Sequence, residues 1–395
     1  MSPDRVRSLR GSSVAPVLVG TLTMGVGLLL RLPVLDYHGA ATQPAFNAFV
    51  FRHPGAYSDV ASLYFRDHLW HHPLPYLDYR FEYPVLMGAF VALASLVHTS
   101  VGAYLLVSAL PLVGCGVAIL WLLARFPGAN PWLLALSPAL ALYVVLNWDL
   151  LALAATVGAV VLYARGRDLP ATGLLALGVW LKLFPLLLLP LVLARRLVER
   201  RFRDAAAMVG VFALITVAVN LPLALAARHG LTWFLRFNRE RPPEGLWSVL
   251  PHVHLATPTV NWLSAALTAL GIAVLMVAVA RARRESVLVT AFLAAVAWFF
   301  LVGKVYSPQY ALWVVALLAL AGAPVGVWAV FAAVDVLFFA ASFTSLYLQV
   351  HERSESADFT DHFLKPAVGL RELALLVVLG WSLTRLAEGW PRLRR

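Results

Sequence analysis

The sequence predicts an all-α, polytopic membrane protein, and three observations lead to this prediction. Hydrophobic residues make up 61% of the 395 residues, whereas Asp, Glu, Lys and Arg make up 13%, about half of the share in a soluble globular domain. The hydrophobic residues form near-continuous runs long enough to cross a bilayer as helices. Arginines cluster between these runs, as at 195–196, 200–203, 281–284 and 392–395. Cytoplasmic loops show this distribution, so membrane topology explains the net charge of +11 and nucleic-acid binding is not indicated.

The hydrophobic runs predict a single integral-membrane domain over residues 1–395, with about twelve spans in the cell membrane. The predicted spans are 14–33, 83–98, 103–124, 131–146, 149–164, 170–193, 204–226, 259–280, 286–302, 308–322, 325–348 and 366–387. With the basic amino terminus in the cytoplasm, an even number of spans returns the basic carboxyl terminus to the same side. The longer polar segments then lie outside, as a first loop at 34–82, a second at 227–258, a third at 349–365 and a turn at 303–310.

Two regions do not fit this topology. Arg125 and Arg165–Arg167 fall outside under the count of twelve, so either a span is wrongly drawn or these arginines face an anionic partner. Lys182 and Pro185 interrupt the run 170–193, which is compatible with two short helices in place of one.

The first predicted loop gathers carboxylates and tyrosines between residues 57 and 83. Within it, residues 58–70 place apolar side chains on roughly one helical face, which predicts an amphipathic helix at the membrane interface. Asp59 falls in the first turn of this helix, where a carboxylate suits the helix dipole. Two interpretations are open for Asp59: a simple helix-starting acid, or a carboxylate that lines a functional cavity.

Two ionisable residues lie between or within later apolar runs. Asp149, in NWDLLALA (147–154), belongs either to a solvated turn or to a cavity. Lys182 needs water, a partner or a route to the interface. We expect it either to form a buried ion pair, for which Asp149 is the candidate, or to contact an anionic lipid phosphate.

The second predicted loop contains a cluster of arginines, Arg236, Arg239 and Arg241, against the usual distribution of this residue. These arginines either pair with Glu240 and Glu244 in a solvated loop or bind phosphate, which suits the planar guanidinium group.

A second cationic segment is KVYSPQY, which begins at Lys304. Pro308 favours a helix start, where free N–H groups attract an anion. Tyr306, Gln309 and Tyr310 add hydroxyl and amide groups that could bind a sugar or a phosphate, and a plain helix-starting turn is the alternative.

Taken in order, these motifs resemble glycosyltransferase family 87, the polyprenol-phosphate-mannose-dependent α-mannosyltransferases with the membrane-integral C-type fold. The motifs are Tyr57-Ser58-Asp59, PYLDYRFEYPVL (75–86), NWDLLALA (147–154), GLLALGVWLKLFPLLLLPLVLARR (173–196), RERPPEGLWSVL (239–250) and KVYSPQYALW (304–313). Two features depart from the family pattern. Val85 stands where the family has a second proline, and Glu244 and Ser248 are separated where the family has them adjacent.

The resemblance implies Asp59 as the catalytic base, and transfer outside the cytoplasm from a lipid-linked monophosphate sugar. The departing polyprenyl phosphate needs cationic and N–H groups, and a base aligned with the acceptor hydroxyl would invert the anomeric centre. The candidate donor- and phosphate-binding residues are Lys182, Arg239, Arg241, Lys304, Tyr306, Gln309 and Tyr310. The candidate acceptor-orienting residues are Tyr57, Asp78 and Glu82. No cofactor and no metal is required by this chemistry, and the expected partners are the lipid-linked donor, a glycolipid or glycan acceptor and membrane lipids.

Other functions remain open at this point. A transporter or lipid flippase would concentrate charges on broken helices at the bilayer midplane, and a non-catalytic assembly protein would not need Asp59. The sequence contains no P-loop, HExxH or GxSxG motif, and its one cysteine excludes a disulfide within the chain. Mannose is the sugar that the resemblance favours, with arabinofuranose and glucose as alternatives. The acceptor, the number of sugars transferred and the oligomeric state are not determined by the sequence.

Overall fold

The structure is a computed structural model that describes residues 3–96, 100–250, 255–282 and 287–388, with side chains from residue 14 onward. These residues form helices and no β-strand, which confirms the all-α prediction. In chain order the helices are α1 (Pro3–Leu29), α2 (Leu32–Leu35), α3 (Gln43–Val50), α4 (Asp59–Arg66), α5 (Val85–Ser95), α6 (Val101–Leu123), α7 (Trp132–Ala135), α8 (Pro138–Tyr143), α9 (Asp149–Ala164), α10 (Asp168–Leu181), α11 (Leu188–Val198), α12 (Phe202–Ala226), α13 (Arg228–Leu231), α14 (Trp233–Glu240), α15 (Leu246–Val249), α16 (Thr257–Arg281), α17 (Val287–Val302), α18 (Ala311–Leu320), α19 (Val325–Val350), α20 (Ser356–Phe359) and α21 (Lys365–Glu388).

Five helical stretches among the described residues are long and apolar enough to cross a membrane, judged by length and composition. They are α6, α12, α16, α19 and the continuous stretch Ser356–Glu388, which contains α20 and α21. Few side chains of α12 and α16 are buried although they are apolar, as expected of surfaces that face lipid. Six shorter apolar helices accompany these five, so the number of membrane crossings stays a prediction.

In the predicted span 83–98, α5 has 11 residues and is about 16 Å long, roughly half of the hydrocarbon thickness, and residues 97 and 98 lie outside the described residues. A methyl group at Gly102, the second residue of α6, would lie 3.0 Å from Leu35, which is the last residue of α2. The chain therefore starts α6 near the end of the bundle where α1 finishes. With α5 left out of the count of crossings, α6 runs in the direction opposite to the predicted one and Arg125 lies at the end of the bundle opposite the first loop. This removes one of the two conflicts in the predicted topology.

The predicted span 131–146 consists of two short helices, α7 and α8, instead of one continuous helix. Pro138 is the first residue of α8, and the Ser137 hydroxyl accepts a hydrogen bond from Ala139 N at 3.2 Å. The break follows from the proline, because its ring cannot continue the hydrogen-bond ladder of α7. The two helices still lead from Asn130, which donates to the Ala319 carbonyl at 2.8 Å, to Leu146 near Asp59.

The predicted span 170–193 is a hairpin of α10 and α11, so the two-helix alternative is correct. Helix α10 ends at Lys182, whose backbone is extended, and a 3₁₀ turn that contains Pro185 precedes α11. Arg196 near the end of α11 makes two 2.9 Å hydrogen bonds to Asp168, the first residue of α10. The start of α10 and the end of α11 therefore meet. Lys182 lies at the opposite end of the hairpin, its tip, about 20 Å away along α10.

A second hairpin is formed by α17 and α18, with its tip between Gly303 and Tyr310. Val287 at the start of α17 and Leu320 at the end of α18 line the same cavity. Every side chain of α18 is buried and almost every one of α17 is, which is typical of a helix in the centre of a bundle. The two tips meet, since the ring of Phe184 lies 4.6 Å from that of Tyr310.

The segments predicted to lie outside the membrane meet at one end of the helices. The Arg80 guanidinium lies 4.6 Å above the Trp233 ring, which joins the first and second loops. Lys304 donates to the Asn238 carbonyl at 2.6 Å, and Arg52 donates to His351 at 3.2 Å. The second conflict is also resolved, because Arg167 directly precedes the Asp168–Arg196 pair and so belongs to the basic end of the bundle.

The predicted amphipathic helix over 58–70 is shorter than expected and does not lie at an interface. Helix α4 ends at Arg66, and His68 takes the left-handed conformation with φ of 50°. Six consecutive side chains, Val60–Phe65, are buried, so no face is left for water. Packing on both sides causes this: the Tyr64 ring lies 5.3 Å from Tyr104 of α6, and the Phe65 ring 4.9 Å from Phe46 of α3.

We expect Gly230→Ala to lower the free energy of unfolding by about 1–3 kcal/mol, the usual range for overpacking. A Cβ at Gly230 would overlap the carbonyl oxygen of Tyr76, so the second loop would have to move away from the first. Gly210→Ala in α12 is the matched control, because nothing lies within 4 Å of the added methyl group. Thermal unfolding in detergent measures both variants, and equal midpoints would contradict the packing described for the two loops.

Candidate active site at the tips of the hairpins

Asp59 is held in place by the backbone at the start of α4. Asp59 N donates to the Leu146 carbonyl at 2.8 Å, and the Ser58 hydroxyl donates to the Val145 carbonyl at 2.5 Å. Ser58 is fully buried and extended, so the chain enters α4 directly from this contact. The first-loop helix is thereby attached to the segment that joins α8 to α9.

The Asp59 carboxylate accepts one hydrogen bond on each oxygen. The Tyr57 hydroxyl donates to Oδ1 at 2.9 Å, and the Asn147 amide donates to Oδ2 at 2.9 Å. Asn147 also donates to the Tyr83 hydroxyl at 2.7 Å, and its amide oxygen accepts from Trp148 N at 2.7 Å. Asp59 as a residue is partly exposed, and its carboxylate is oriented by these two donors.

The pKa of Asp59 is raised above the ordinary value of an aspartate, and burial is the largest cause. The hydrogen bonds from Asn147 and Tyr57 and the positive charge of Lys182 lower the pKa, but they do not offset burial. A carboxylate with a raised pKa is a stronger base than an ordinary aspartate, which is the property that proton abstraction requires.

Asn147 was missed by the sequence analysis. Its motif, NWDLLALA, was noted only for Asp149. The sequence signal that could have identified Asn147 was its position: a polar amide that follows an interrupted apolar run and directly precedes the first turn of the next helix. Nothing in the sequence indicates that this amide meets Asp59, because 88 positions separate the two residues.

Lys182 forms a buried ion pair with Asp149, so that alternative from the sequence is present in the structure. The Lys182 ammonium lies 2.5 Å from Asp149 Oδ2, and the Trp313 indole donates to Asp149 Oδ1 at 2.7 Å. The ammonium also lies 5.2 Å from the centre of the Tyr310 ring and 5.8 Å from that of Tyr83. The pair thus joins α9 to both hairpins, next to the Tyr83 hydroxyl that shares Asn147 with Asp59.

Arg241 and Lys304 lie between the second loop and the second hairpin. Arg241 makes two hydrogen bonds to Glu244, at 2.8 and 2.7 Å, which is the loop pairing considered from the sequence. Lys304 donates to the carbonyls of Asn238 and Arg239, at 2.6 and 3.0 Å, and so satisfies the last turn of α14. Burial, and next the charge of Arg241, lower the pKa of Lys304.

The other predicted donor residues occupy different environments. The Arg239 side chain is exposed, and its carbonyl also accepts from Asn261 at 2.8 Å. Gln309 is buried, whereas Tyr310 is partly exposed. Tyr306 is buried with its ring 4.0 Å below the Arg371 guanidinium. Of these four, Tyr310 is the one that contacts the Lys182 side of the site.

The predicted acceptor residues do not form one group. Tyr57 bonds directly to Asp59, as described above. Glu82 accepts two hydrogen bonds from Arg66, at 2.6 and 2.8 Å, and its negative charge raises the pKa of Asp59. Asp78 is exposed and accepts from Leu74 N at 2.7 Å, so it closes a local turn. In the part of the chain that the structure describes, no contact joins Asp78 to Asp59.

A buried polar cluster in the later helices also escaped the sequence analysis. The Tyr143 hydroxyl donates to Asp335 at 3.0 Å, and Arg371 forms a buried ion pair with Glu372. Both pairs lie beside Tyr306, whose ring contacts Arg371. The signal was an aspartate within the apolar run of α19 and an Arg-Glu pair within α21, since ionisable residues inside membrane helices are rare.

Two comparisons bear on the identity of the chain. The family model described as glycosyltransferase family 87 matches residues 81–308, more than half of the chain. It includes Asn147, Asp149, Lys182, Arg241 and Lys304, whereas Asp59 lies outside the matched range. No curated protein matches the chain.

Among the residues that the structure describes, no group of three or more His, Cys, Asp or Glu side chains could hold a metal ion.

We expect Lys182→Met to lower the free energy of unfolding by about 3–5 kcal/mol, because it leaves the buried Asp149 carboxylate without its cation. Lys182→Met combined with Asp149→Asn should recover most of this loss, since the amide oxygen can still accept from Trp313. Thermal unfolding of the purified protein in detergent distinguishes the two. A double variant as unstable as the single one would show that the ion pair is not what stabilises this region.

Proposed function

The chain belongs to glycosyltransferase family 87, and from this premise we propose that it transfers a sugar, mannose above all, from a polyprenyl-phosphate-linked donor. The acceptor is a hydroxyl group of a glycolipid or glycan on the extracytoplasmic face of the cell membrane. The observation that supports the proposal most strongly is the Asp59 carboxylate, partly exposed, with a raised pKa and a hydrogen bond on each oxygen. The helical bundle is then a C-type glycosyltransferase fold, with the first loop at the catalytic end.

The proposed step balances with Asp59 as the base. Asp59 accepts the proton of the acceptor hydroxyl while the hydroxyl oxygen attacks the anomeric carbon of the donor sugar. The bond between this carbon and the phosphate oxygen breaks, and the electron pair leaves with the polyprenyl phosphate. Attack from the face opposite the leaving group inverts the anomeric centre, so a β-linked donor yields an α-linked product. Asp59 then releases its proton to solvent.

The leaving phosphate needs positive charge close to the base, and Lys182 is the cation best placed to supply it. Its positive charge lowers the pKa of Asp59, so the two groups interact, and only one of its three N–H donors goes to Asp149. Arg241 also lies near Tyr310 and Tyr83. We assign the phosphate to the space bounded by Lys182, Arg241 and Tyr310.

The remaining candidates are given supporting roles in this proposal. Lys304 holds the end of α14 against the second hairpin, and Tyr306 and Gln309 form the buried side of that hairpin tip. Exposed Arg239 is available to the donor only from the rim.

On the acceptor side, Tyr57 orients the base. Glu82 is bound to Arg66, which also makes two hydrogen bonds to Asp67, so any effect of Glu82 on the acceptor is transmitted by this arginine. Asp78 closes its own turn and is not needed to orient the acceptor.

Asp59→Asn should reduce transfer by about two to four orders of magnitude, the contribution usual for a positioned base, while folding is retained because the amide has nearly the same shape. Reconstituted protein, radiolabelled polyprenyl-phosphate-mannose and a membrane glycolipid acceptor make up the assay. Asp358→Asn is the control, as it removes an exposed carboxylate at the predicted outer end. Transfer by Asp59→Asn at the wild-type rate would show that Asp59 is not the catalytic base. Donor that crosses the membrane without forming a glycoside would favour a transporter.

The pH dependence of kcat/KM should show an acid limb that belongs to Asp59. The base acts only when ionised, so the rate falls as the pH drops through its pKa, and burial places this midpoint above the ordinary value for aspartate. Asn147→Leu removes a hydrogen bond that lowers the pKa, so its midpoint should move to higher pH. Asn220→Leu, which removes an amide that bonds within α12, should leave the midpoint in place. A limb that does not respond to Asn147 would assign it to another group.

A further inference from the structure

A cavity of about 440 Å³ lies beside the segment that carries Asp59. One wall is the end of α3 and the chain that follows it, residues 50–55, together with Tyr57. The other wall is the outer half of α19, from Phe339 to Tyr347. The volume lies in the range of small-molecule sites, which are mainly apolar with a few polar groups. None of the site predictions from the sequence, apart from Tyr57, falls in this cavity.

The walls of the cavity are aromatic. The Phe51 and Tyr57 rings are stacked, with centroids 4.7 Å apart and planes 10° apart. On the opposite wall the Phe343 ring lies 5.7 Å from Tyr57 and 4.4 Å from Phe339. Each of the four side chains is partly exposed, so ring surface remains available to an occupant.

Tyr57 belongs to both the cavity and the catalytic group. Its ring lines the cavity, and its hydroxyl donates to Asp59 Oδ1 at 2.9 Å. An occupant against this ring therefore lies within one side chain of the carboxylate. Lys182 and Arg241, to which the donor phosphate is assigned above, are absent from the lining of this cavity. The cavity is therefore a candidate site for the acceptor.

The lining also contains polar groups. Arg52, His53 and Thr344 are exposed at the cavity, and Arg52 donates to His351 at 3.2 Å. A hydrocarbon chain would gain nothing from these groups, whereas a sugar can use them for its hydroxyls.

We propose that this cavity, bounded by Phe51, Tyr57, Phe339 and Phe343, binds the carbohydrate ring of the acceptor. The inference rests on the proposed function and extends it by naming the acceptor site and its chemistry. A pyranose ring presents C–H bonds on its apolar faces, and the face of an aromatic ring carries negative charge density that attracts them. Sugar hydroxyls at the edge of the ring would then meet Asp59 on one side and the polar groups of the lining on the other.

Binding can be measured without transfer by protecting a cysteine in the cavity. The chain has one cysteine, Cys115, so a Cys115→Ser background with Thr344→Cys places a single thiol in the lining. Octyl α-mannoside should slow its reaction with a maleimide at least threefold, and octanol, which has the same chain and no sugar, should not. Ser354→Cys in the same background is the control, because Ser354 is exposed just after α19 and outside the cavity. Equal protection by octanol, or none at position 344, would overturn the proposal.

Kinetics provide a second measurement on the otherwise unchanged protein. With polyprenyl-phosphate-mannose as the donor and octyl α-mannoside as the acceptor, Phe343→Leu should raise the KM for the acceptor about three- to tenfold, the effect of losing one aromatic contact. The KM for the donor should not change, and Phe343→Tyr should behave as the wild type because it keeps the ring. Leu337→Ala, a substitution on α19 outside the cavity, is the control for this measurement.

The two hypotheses fail in different ways. Protection at position 344 with no transfer by the wild type would contradict the proposed transferase and leave a sugar site. Transfer by the wild type, with Phe343→Leu raising the donor KM or leaving both values unchanged, would contradict the acceptor site and leave the transferase.

Discussion

The ion pair between Lys182 and Asp149 is the contact on which the arrangement of the site depends. Lysine and aspartate are costly to bury singly within a membrane protein, and here each neutralises the other at 2.5 Å. The pair lies where α10 is interrupted and where α9 begins, and Trp313 of the second hairpin completes it. Two helix interruptions are therefore stabilised by one contact, because irregular backbone must find its hydrogen-bond partners within the protein where water does not reach it.

The two hairpin tips carry Lys182 and Lys304, and the first loop carries Asp59, the proposed base. Backbone hydrogen bonds from Ser58 and Asp59 reach the carbonyls before Asn147, so the start of α4 is attached to the same short segment that leads into α9. Asn147 is shared between Asp59 and Tyr83, and Tyr83 faces Lys182. Asp59 and Lys182 are thus linked through one amide and one aromatic ring, which brings a loop residue and a helix-interrupting lysine to one place.

The distribution of charge distinguishes the proposed donor side of the site from the proposed acceptor side. On the donor side the cations are already engaged, Lys182 by Asp149 and Arg241 by Glu244, so a phosphate would share them and would not have to recruit free cations. On the acceptor side the walls are aromatic, and the carboxylate is oriented by neutral donors. An anionic leaving group and a neutral polyhydroxyl acceptor would each meet a matching environment, with Asp59 between them.

Much of this molecule could be predicted from composition and short motifs, but the pairing of its parts could not. The helical class and the apolar helices of spanning length follow from hydrophobicity, and the structure confirms them. The outer position of the polar segments and the role of Asp59 rest on arginine clusters and motif order, and they stay predictions. The structure differs from the prediction at α7–α8, where a proline interrupts an apolar run of spanning length, and at α5, which is shorter than the predicted span. At α10–α11 it selects the two-helix alternative that the sequence had left open.

What the sequence by itself determined is local: which stretches prefer a membrane, which end of the bundle is basic, and which residues carry chemistry. Only the tertiary structure decided that Lys182 pairs with Asp149, that Asn147 bonds to Asp59, and that α10 and α11 turn back on each other. The physical reason is that hydrophobicity is a property of each segment alone, whereas these contacts depend on how distant segments pack. Charged residues that are tens of positions apart in the sequence pair with each other because the interior of the bundle offers no water to solvate them.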